Sequence, residues 1–234
     1  MTELTVYHLS GLWGLKSVSP FCLKVDAFLR MTGTPHASVT AATPFGGPKR
    51  KAPWIEHDGR TLGDSSFIIA YLIDRFGIDP DVGLSADQRG RAVAIQRLVE
   101  ENLYWAMVFD RWVRNENWPV LKQSVLGQIP SVVRTVIAPI ARRGVKRQLQ
   151  GHGLGLHSPE EIEAIARRDL EALAGMLGDR DWFFGDSPTL VDATVFSLLA
   201  NIRYVAFASP MKAMIEGHGN LAHHTDRFRD RFYP

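Results

Sequence analysis

The chain has 234 residues, 45% of them hydrophobic and 22% charged, which is enough to bury a core in one large or two small domains and excludes a disordered chain. Lys and Arg total 27 against 25 for Asp and Glu, a balance that singles out no charged partner and argues against a dedicated nucleic-acid binder. Cys22 is the only cysteine, so no intrachain disulfide can form; with no signal segment and no apolar run of about 20 residues, a cytoplasmic location is expected.

Leu4 to Leu9, with Thr5, Val6 and Tyr7, reads as a short strand. An amphipathic helix should follow, because Phe21, Val25, Phe28 and Leu29 recur at helical spacing. Pro20 suits its first position and Ser19 its N-cap, which puts the Ser19 hydroxyl at the positive end of a helix, where a thiolate is favoured. Thr32-Gly33-Thr34-Pro35 stops that helix, and Ala37 to Ala41 is a second strand. The basic run Lys49-Arg50-Lys51 precedes Pro53, which makes Lys51 a candidate carboxylate contact.

Ala52 to His57 reads as a strand opened by a proline, and Asp58-Gly59 is a hairpin signal into Arg60-Thr61-Leu62. Gly63-Asp64-Ser65-Ser66 then caps a helix with Phe67, Ile68, Ile69, Tyr71 and Leu72 as its apolar set. This element order is that of a thioredoxin-like α/β domain over residues 1–78. Pro80, Gly83 and Ser85 mark a linker at 79–86, and residues 87–234 read as an all-helical domain.

In that second domain Arg89 to Asn115 is expected as one helix, with Tyr104, Trp105, Phe109 and Trp112 mostly in the core. Val120 to Gln150 combines Ile129, Val132, Val133, Val136, Ile137 and Ile140 with Pro130, Pro139 and the cations Arg142, Arg143, Lys146 and Arg147. Two or three short helices packed on the domain are expected there. Because no acidic residue interrupts the stretch, a peripheral membrane or partner contact through 120–150 is the competing reading. The glycine-rich segment 151–157 follows no strand and is a weak phosphate-loop candidate; Ser158 capping a helix through Glu160 and Glu161 is the better account. Thr189 to Asp192 forms a capping box opening a helix with Val191, Val195, Leu198, Leu199 and Ile202 on one face. The tail pairs Arg227, Arg229 and Arg231 with Phe228 and Phe232, and the eight histidines, His223 and His224 included, give no metal-ligand spacing.

Three stretches carry a resemblance. Ser19-Pro20-Phe21-Cys22 is similar to the Cys-Pro-aromatic-Cys of glutaredoxins with serine in place of the first cysteine, so the nucleophile would come from elsewhere. Lys51-Ala52-Pro53-Trp54-Ile55, followed by Gly63-Asp64-Ser65 and Ala70-Tyr71-Leu72, resembles the glutathione-binding half of a glutathione S-transferase. Asp64 stands where glutamate is usual, as in the branch of metaxins and failed-axon-connections proteins. The run from Arg142 through Gln150, Gly153 and His157 to Ile162 resembles that branch too, and Phe183 to Asp192 matches the transferase helical-domain motif.

The resemblance implies a thioredoxin-like domain, a helical transferase domain and a homodimer. Glutathione would be co-substrate, its thiolate attacking a small apolar electrophile. Pro53 would be cis and present the Ala52 backbone to the cysteinyl backbone of glutathione; Asp64 would accept the γ-glutamyl ammonium and Ser65 bind the α-carboxylate. Ser19 is the expected thiolate stabiliser and Ser17 the reserve. Trp13, Tyr104 and Trp105 are assigned to substrate binding, the latter two beside the second substrate. The rival is a non-catalytic, membrane-associated adaptor that keeps the fold. A thiol-disulfide reductase or peroxidase using Cys22 is weakened by the missing first cysteine.

Overall fold

The computed structural model describes residues 3–127 and 130–234. Four strands, β1 (Thr5–His8), β2 (Ala37–Thr40), β3 (Trp54–His57) and β4 (Arg60–Gly63), form one sheet in the order β2-β1-β3-β4. β1 runs parallel to β2, the crossover being helix α1 (Pro20–Thr32), while β3 and β4 pair antiparallel through the Asp58-Gly59 turn. Ser19 caps α1 as its residue type predicts, and Gly33 ends the helix with φ 65°.

Helix α2 (Ser65–Phe76) follows β4 directly. Val6 and Ile55 pack against Val25, Phe28 and Leu29 of α1 and Ile68, Ile69 and Leu72 of α2. Each of these side chains is worth about 1.5–3 kcal/mol when fully buried. Phe67, expected in the apolar set of α2, is instead 61% exposed and lies under the Lys49 ammonium, 4.5 Å from the ring centre. Its position one residue before Ile68 and Ile69 turns it off the packed stripe.

The expected single helix from Arg89 is interrupted: α3 (Ala86–Arg97) passes through a π-helical segment, Leu98–Leu103, into α4 (Tyr104–Trp112). Val99 and Leu103 stay buried across the segment, a register change that apolar spacing alone does not reveal. Next come α5 (Trp118–Leu126) and α6 (Ser131–His152). α6 is one 22-residue helix with Pro139 inside it, not a set of short packed helices. Val132, Val133, Val136, Ile137 and Ile140 all face solvent; Ile129 lies outside the described residues. Helix α7 (Pro159–Leu177) opens with the Ser158–Glu161 capping box, and α8 (Leu190–Arg203), α9 (Pro210–Gly217) and α10 (Gly219–Phe232) complete the chain. Among the described residues no helix is long and apolar enough to cross a membrane.

By contact, residues 1–93, 179–204 and 223–234 form one compact unit, and 94–178 with 205–222 form another. In the first, α8 lies against α1, and Leu15, Leu23, Ala27, Trp182, Ala193, Phe196, Ala200 and Phe228 make a second core. Asp81, in the segment expected to link the domains, accepts from the Leu190 N–H at the start of α8. In the second unit Arg114 bridges Asp110 and Glu163, and Asn102 donates to Asp169.

Asp192 is fully buried and is the polar centre of the first unit. It accepts from the N–H groups of Phe183 and Thr189, from the Thr189 hydroxyl and from the His224 ring. Removing it strands four donors in a dry site. Asp192→Ala should therefore cost about 3–5 kcal/mol in denaturant unfolding, against about 1 kcal/mol for Thr189→Ala, which deletes one bond of the cap.

Candidate functional site

Strand register assembles the site. Tyr7 faces Trp54 across β1–β3, and Trp54 faces Gly63 across β3–β4. Immediately beyond this row, at one end of the sheet, lie three features: the loop that carries β1 into Ser19, the Ala52-Pro53 peptide, and Asp64. The Ala52-Pro53 bond is cis, as expected. Because α1 starts where β1 leads and α2 starts where β4 ends, both helices open their N-termini at this same end. Free N–H groups and two helix dipoles there favour an anion.

At the α1 end, Ser19 has extended backbone, φ −97° and ψ 119°, and its Oγ accepts from the Cys22 N–H at 3.4 Å. It is half-buried, so its hydroxyl can meet a ligand. Ser17 is fully buried; its Oγ accepts from the Ser19 N–H at 3.3 Å and its carbonyl from Asn201. It supports the loop from beneath. Cys22 is buried under both serines. Burial pushes its thiol above the ordinary value of 9.0, opposed by hydrogen bonds from the Leu9 backbone, Ser19 and Ser17.

At the α2 end, Asp64 is the N-cap, its carboxylate accepting from the Ser66 N–H at 3.0 Å. Its φ of 86° is rare for a non-glycine residue and costs on the order of 1–3 kcal/mol, a strain that accumulates at functional positions. Ser65 is buried in the first turn of α2. Lys49 approaches Asp64 at 3.8 Å, while Lys51 is exposed ahead of Pro53. Trp13 is half-buried in a turn with φ 55°, next to Gly14.

One residue of the site was missed in the sequence. Lys24 is 2% exposed and its ammonium reaches the Ser66 hydroxyl at 3.3 Å, tying α1 to the first turn of α2. Its position three residues after Phe21 and four before Phe28, on the apolar face of α1, was the available signal. Tyr7 is engaged elsewhere: its hydroxyl donates to Glu56, which raises its pKa.

Tyr104 and Trp105 belong to the second unit and meet edge to face at 5.3 Å. Trp105 stacks on His152 at 4.8 Å, and burial raises the Tyr104 pKa, with Arg111 opposing.

Comparison with known proteins shows the family and the fold. Residues 20–117 match the glutathione S-transferase N-terminal domain and residues 166–228 the glutathione S-transferase C-terminal domain. The chain is 30% identical to the isoprene-epoxide glutathione S-transferase of Rhodococcus, over 98% of this chain and 99% of that one. The chain belongs to the glutathione S-transferase family. It is also 33% identical to the failed axon connections protein of Drosophila melanogaster, over 98% of its own length and 58% of that protein's, so it spans little more than half of that relative. Metaxin-1 of Sus scrofa is 29% identical over 99% of this chain and 75% of its own. Among solved structures, a glutathione transferase of Phanerochaete chrysosporium superposes with TM-score 0.70 at 16% identity, covering 100% of this chain and 99% of that one. One from Ceriporiopsis subvermispora, in complex with glutathione, gives 0.68 at 17%, covering 98% of each. These structural likenesses confirm the transferase fold, thioredoxin-like domain and helical domain together.

Burial holds the chain's one thiol, Cys22, in its neutral form. Cys22 should react with a thiol reagent at least about tenfold more slowly than free cysteine at pH 8, and at full rate once unfolded. The sign of its pH linkage follows from the raised pKa: the folded protein holds the proton longer than the unfolded chain. The contribution is complete below the unfolded value and is lost as pH rises through the folded one. Cys22→Ala should flatten the alkaline fall of unfolding free energy.

Proposed function

We propose that this chain is a glutathione transferase that adds the glutathione thiolate to a small apolar electrophile. The observation that carries the reading is the convergence of the Ser19 cap, Pro53 and the Asp64–Ser65 helix start at one end of the sheet. Asp64 would accept the γ-glutamyl ammonium in place of Lys49. Ser65 and the α2 N–H groups would take the α-carboxylate, with the buried Lys24 adding positive potential behind Ser66. The Ala52 backbone would pair with the cysteinyl backbone as an added strand does, and Lys51 would contact the glycyl carboxylate side.

Ser19 then donates to the glutathione sulfur. A free thiol has a pKa of about 8.5, and lowering it by about two units needs about 2.7 kcal/mol. A hydrogen bond to a charged group supplies about 1.5–3 kcal/mol and a helix N-terminus about 0.3–1 more. Ser19 at the head of α1 is sufficient in magnitude; buried Ser17 acts through Ser19. Trp13 is kept as a proposed substrate contact, and Tyr104 and Trp105 as the proposed apolar contacts of the second substrate. A homodimer in the cytoplasm completes this reading, resting on the family and on the lone cysteine. The similar Rhodococcus transferase, whose name specifies an isoprene epoxide, supports epoxides as the electrophiles to test first.

A second reading is a membrane-associated adaptor that retains the fold without the chemistry. It is favoured by the solvent-facing aliphatic residues of α6 and by the similarity to metaxins and failed axon connections.

Calorimetric titration with glutathione separates the two. Micromolar to low-millimolar binding is expected, lost in Asp64→Ala; no binding to the unaltered protein would favour the adaptor. In Ser19→Ala the affinity should change little while the pKa of bound glutathione, followed by thiolate absorbance, rises by about one to two units. An unchanged thiol titration would remove Ser19 from the mechanism.

A further inference from the structure

Helix α6 exposes a face that the fold leaves uncovered. Val132 is 79%, Val136 61% and Ile140 66% exposed, and Val133 and Ile137 are exposed beside them. At about 100° per residue these five fall within one arc of the helix. Arg143 and Arg147 continue the same arc toward the C-terminal half and are exposed too. The helix is anchored on its other side by buried Ala138 and Leu149, and by Arg142, which donates to the carbonyls of Trp112 and Val113. Five branched aliphatic side chains in water are a cost that the unit's own packing does not explain.

Charge points to what covers them. No Asp or Glu occurs between Glu116 and Glu160, while Lys122, Arg134, Arg142, Arg143, Lys146 and Arg147 lie in that interval. A groove of about 690 Å³ between α5 and α6 is lined by five of these cations, Lys122, Arg134, Arg142, Arg143 and Lys146. Among the described residues Lys122, Arg143, Lys146 and Arg147 form no ion pair. A second copy of this chain fits the face poorly. An antiparallel two-fold contact centred on it would press Arg143 and Arg147 of each copy against the aliphatic half of the other, with no acid nearby to pair them. Nor can α6 span a bilayer.

We infer that this face docks in the plane of an anionic membrane. The aliphatic first half of α6 enters the boundary of headgroups and acyl chains, and Arg143 and Arg147, on the same arc of the second half, engage lipid phosphates and carboxylates. The inference deepens the membrane-associated reading and does not depend on glutathione.

The test is co-sedimentation of the full chain with vesicles of phosphatidylcholine alone and with vesicles of phosphatidylcholine mixed with phosphatidylserine. The protein should pellet with the mixed vesicles, stay in solution with phosphatidylcholine, and release as salt rises. Val136→Asp with Ile140→Asp, and separately Arg143→Glu with Arg147→Glu, should each lower the bound fraction at least about tenfold. Thermal midpoint and glutathione titration should not move, because these side chains are exposed and lie outside the proposed glutathione site. Absence of binding to the mixed vesicles, or binding by both variants as strong as that of the unaltered protein, overturns the inference, and glutathione titration reports separately on the transferase reading. A dimer that the aspartate pair dissociates, without any vesicle binding, overturns it in favour of a second copy.

Discussion

The register of three paired strands is the constraint on which the rest of the molecule depends. Side chains alternate faces along a strand, so Val6, Ile55 and Leu62 share the face that meets the helices while Tyr7 and Trp54 stack on the other, ring centres 4.8 Å apart. A slip of one residue would send both sets to the wrong side. It would also move Pro53 and Asp64 away from the loop carrying Ser19. Gly63 completes the row because a Cβ there would come within 3.0 Å of the Pro48 ring, so the strand can pass beneath the basic loop only without a side chain. Core packing and site geometry are thus one specification.

The same arrangement holds the chain's own sulfur back and, on the proposed reading, leaves room for an added one. Cys22 sits a turn inside α1, beneath Ser17 and Ser19, where burial outweighs its hydrogen bonds and favours the neutral thiol. A sulfur placed outside Ser19, as proposed, would meet the same helix dipole with access to solvent and a hydroxyl. Lys24 adds a cation under the α2 terminus without occupying it, since Ser66 intervenes.

Much of this was legible in the residues because it depends on local chemistry. Ser19-Pro20 as a helix start, Asp58-Gly59 as a hairpin, Asp64 as a cap and the two capping boxes each follow from what one or two side chains can do to the nearby backbone. What the residues did not disclose is set by distant partners. Ser19 is favoured over Ser17 by its place before Pro20, but that Ser17 is sealed in, with its carbonyl held by Asn201 of α8, depends on a partner distant in sequence. The π-helical segment at Leu98–Leu103 is invisible to apolar spacing because Val99 and Leu103 remain buried through it. Pro139 suggested a break in α6; the helix continues, with the proline ring on its exposed side. The aliphatic series around it implied a buried surface, since periodicity reports that a face exists and not what lies against it.

The packing of α8 on α1 sets the order in which the molecule can be made. Leu23 and Ala27 emerge early in synthesis, but Ala193, Phe196 and Ala200, which cover them, emerge only after nearly the whole second unit. Until then the first unit holds a sheet, two helices and a bare apolar flank. Its closure waits on contacts distant in sequence, which makes assembly slow and leaves a nascent chain halted before α8 exposed to aggregation.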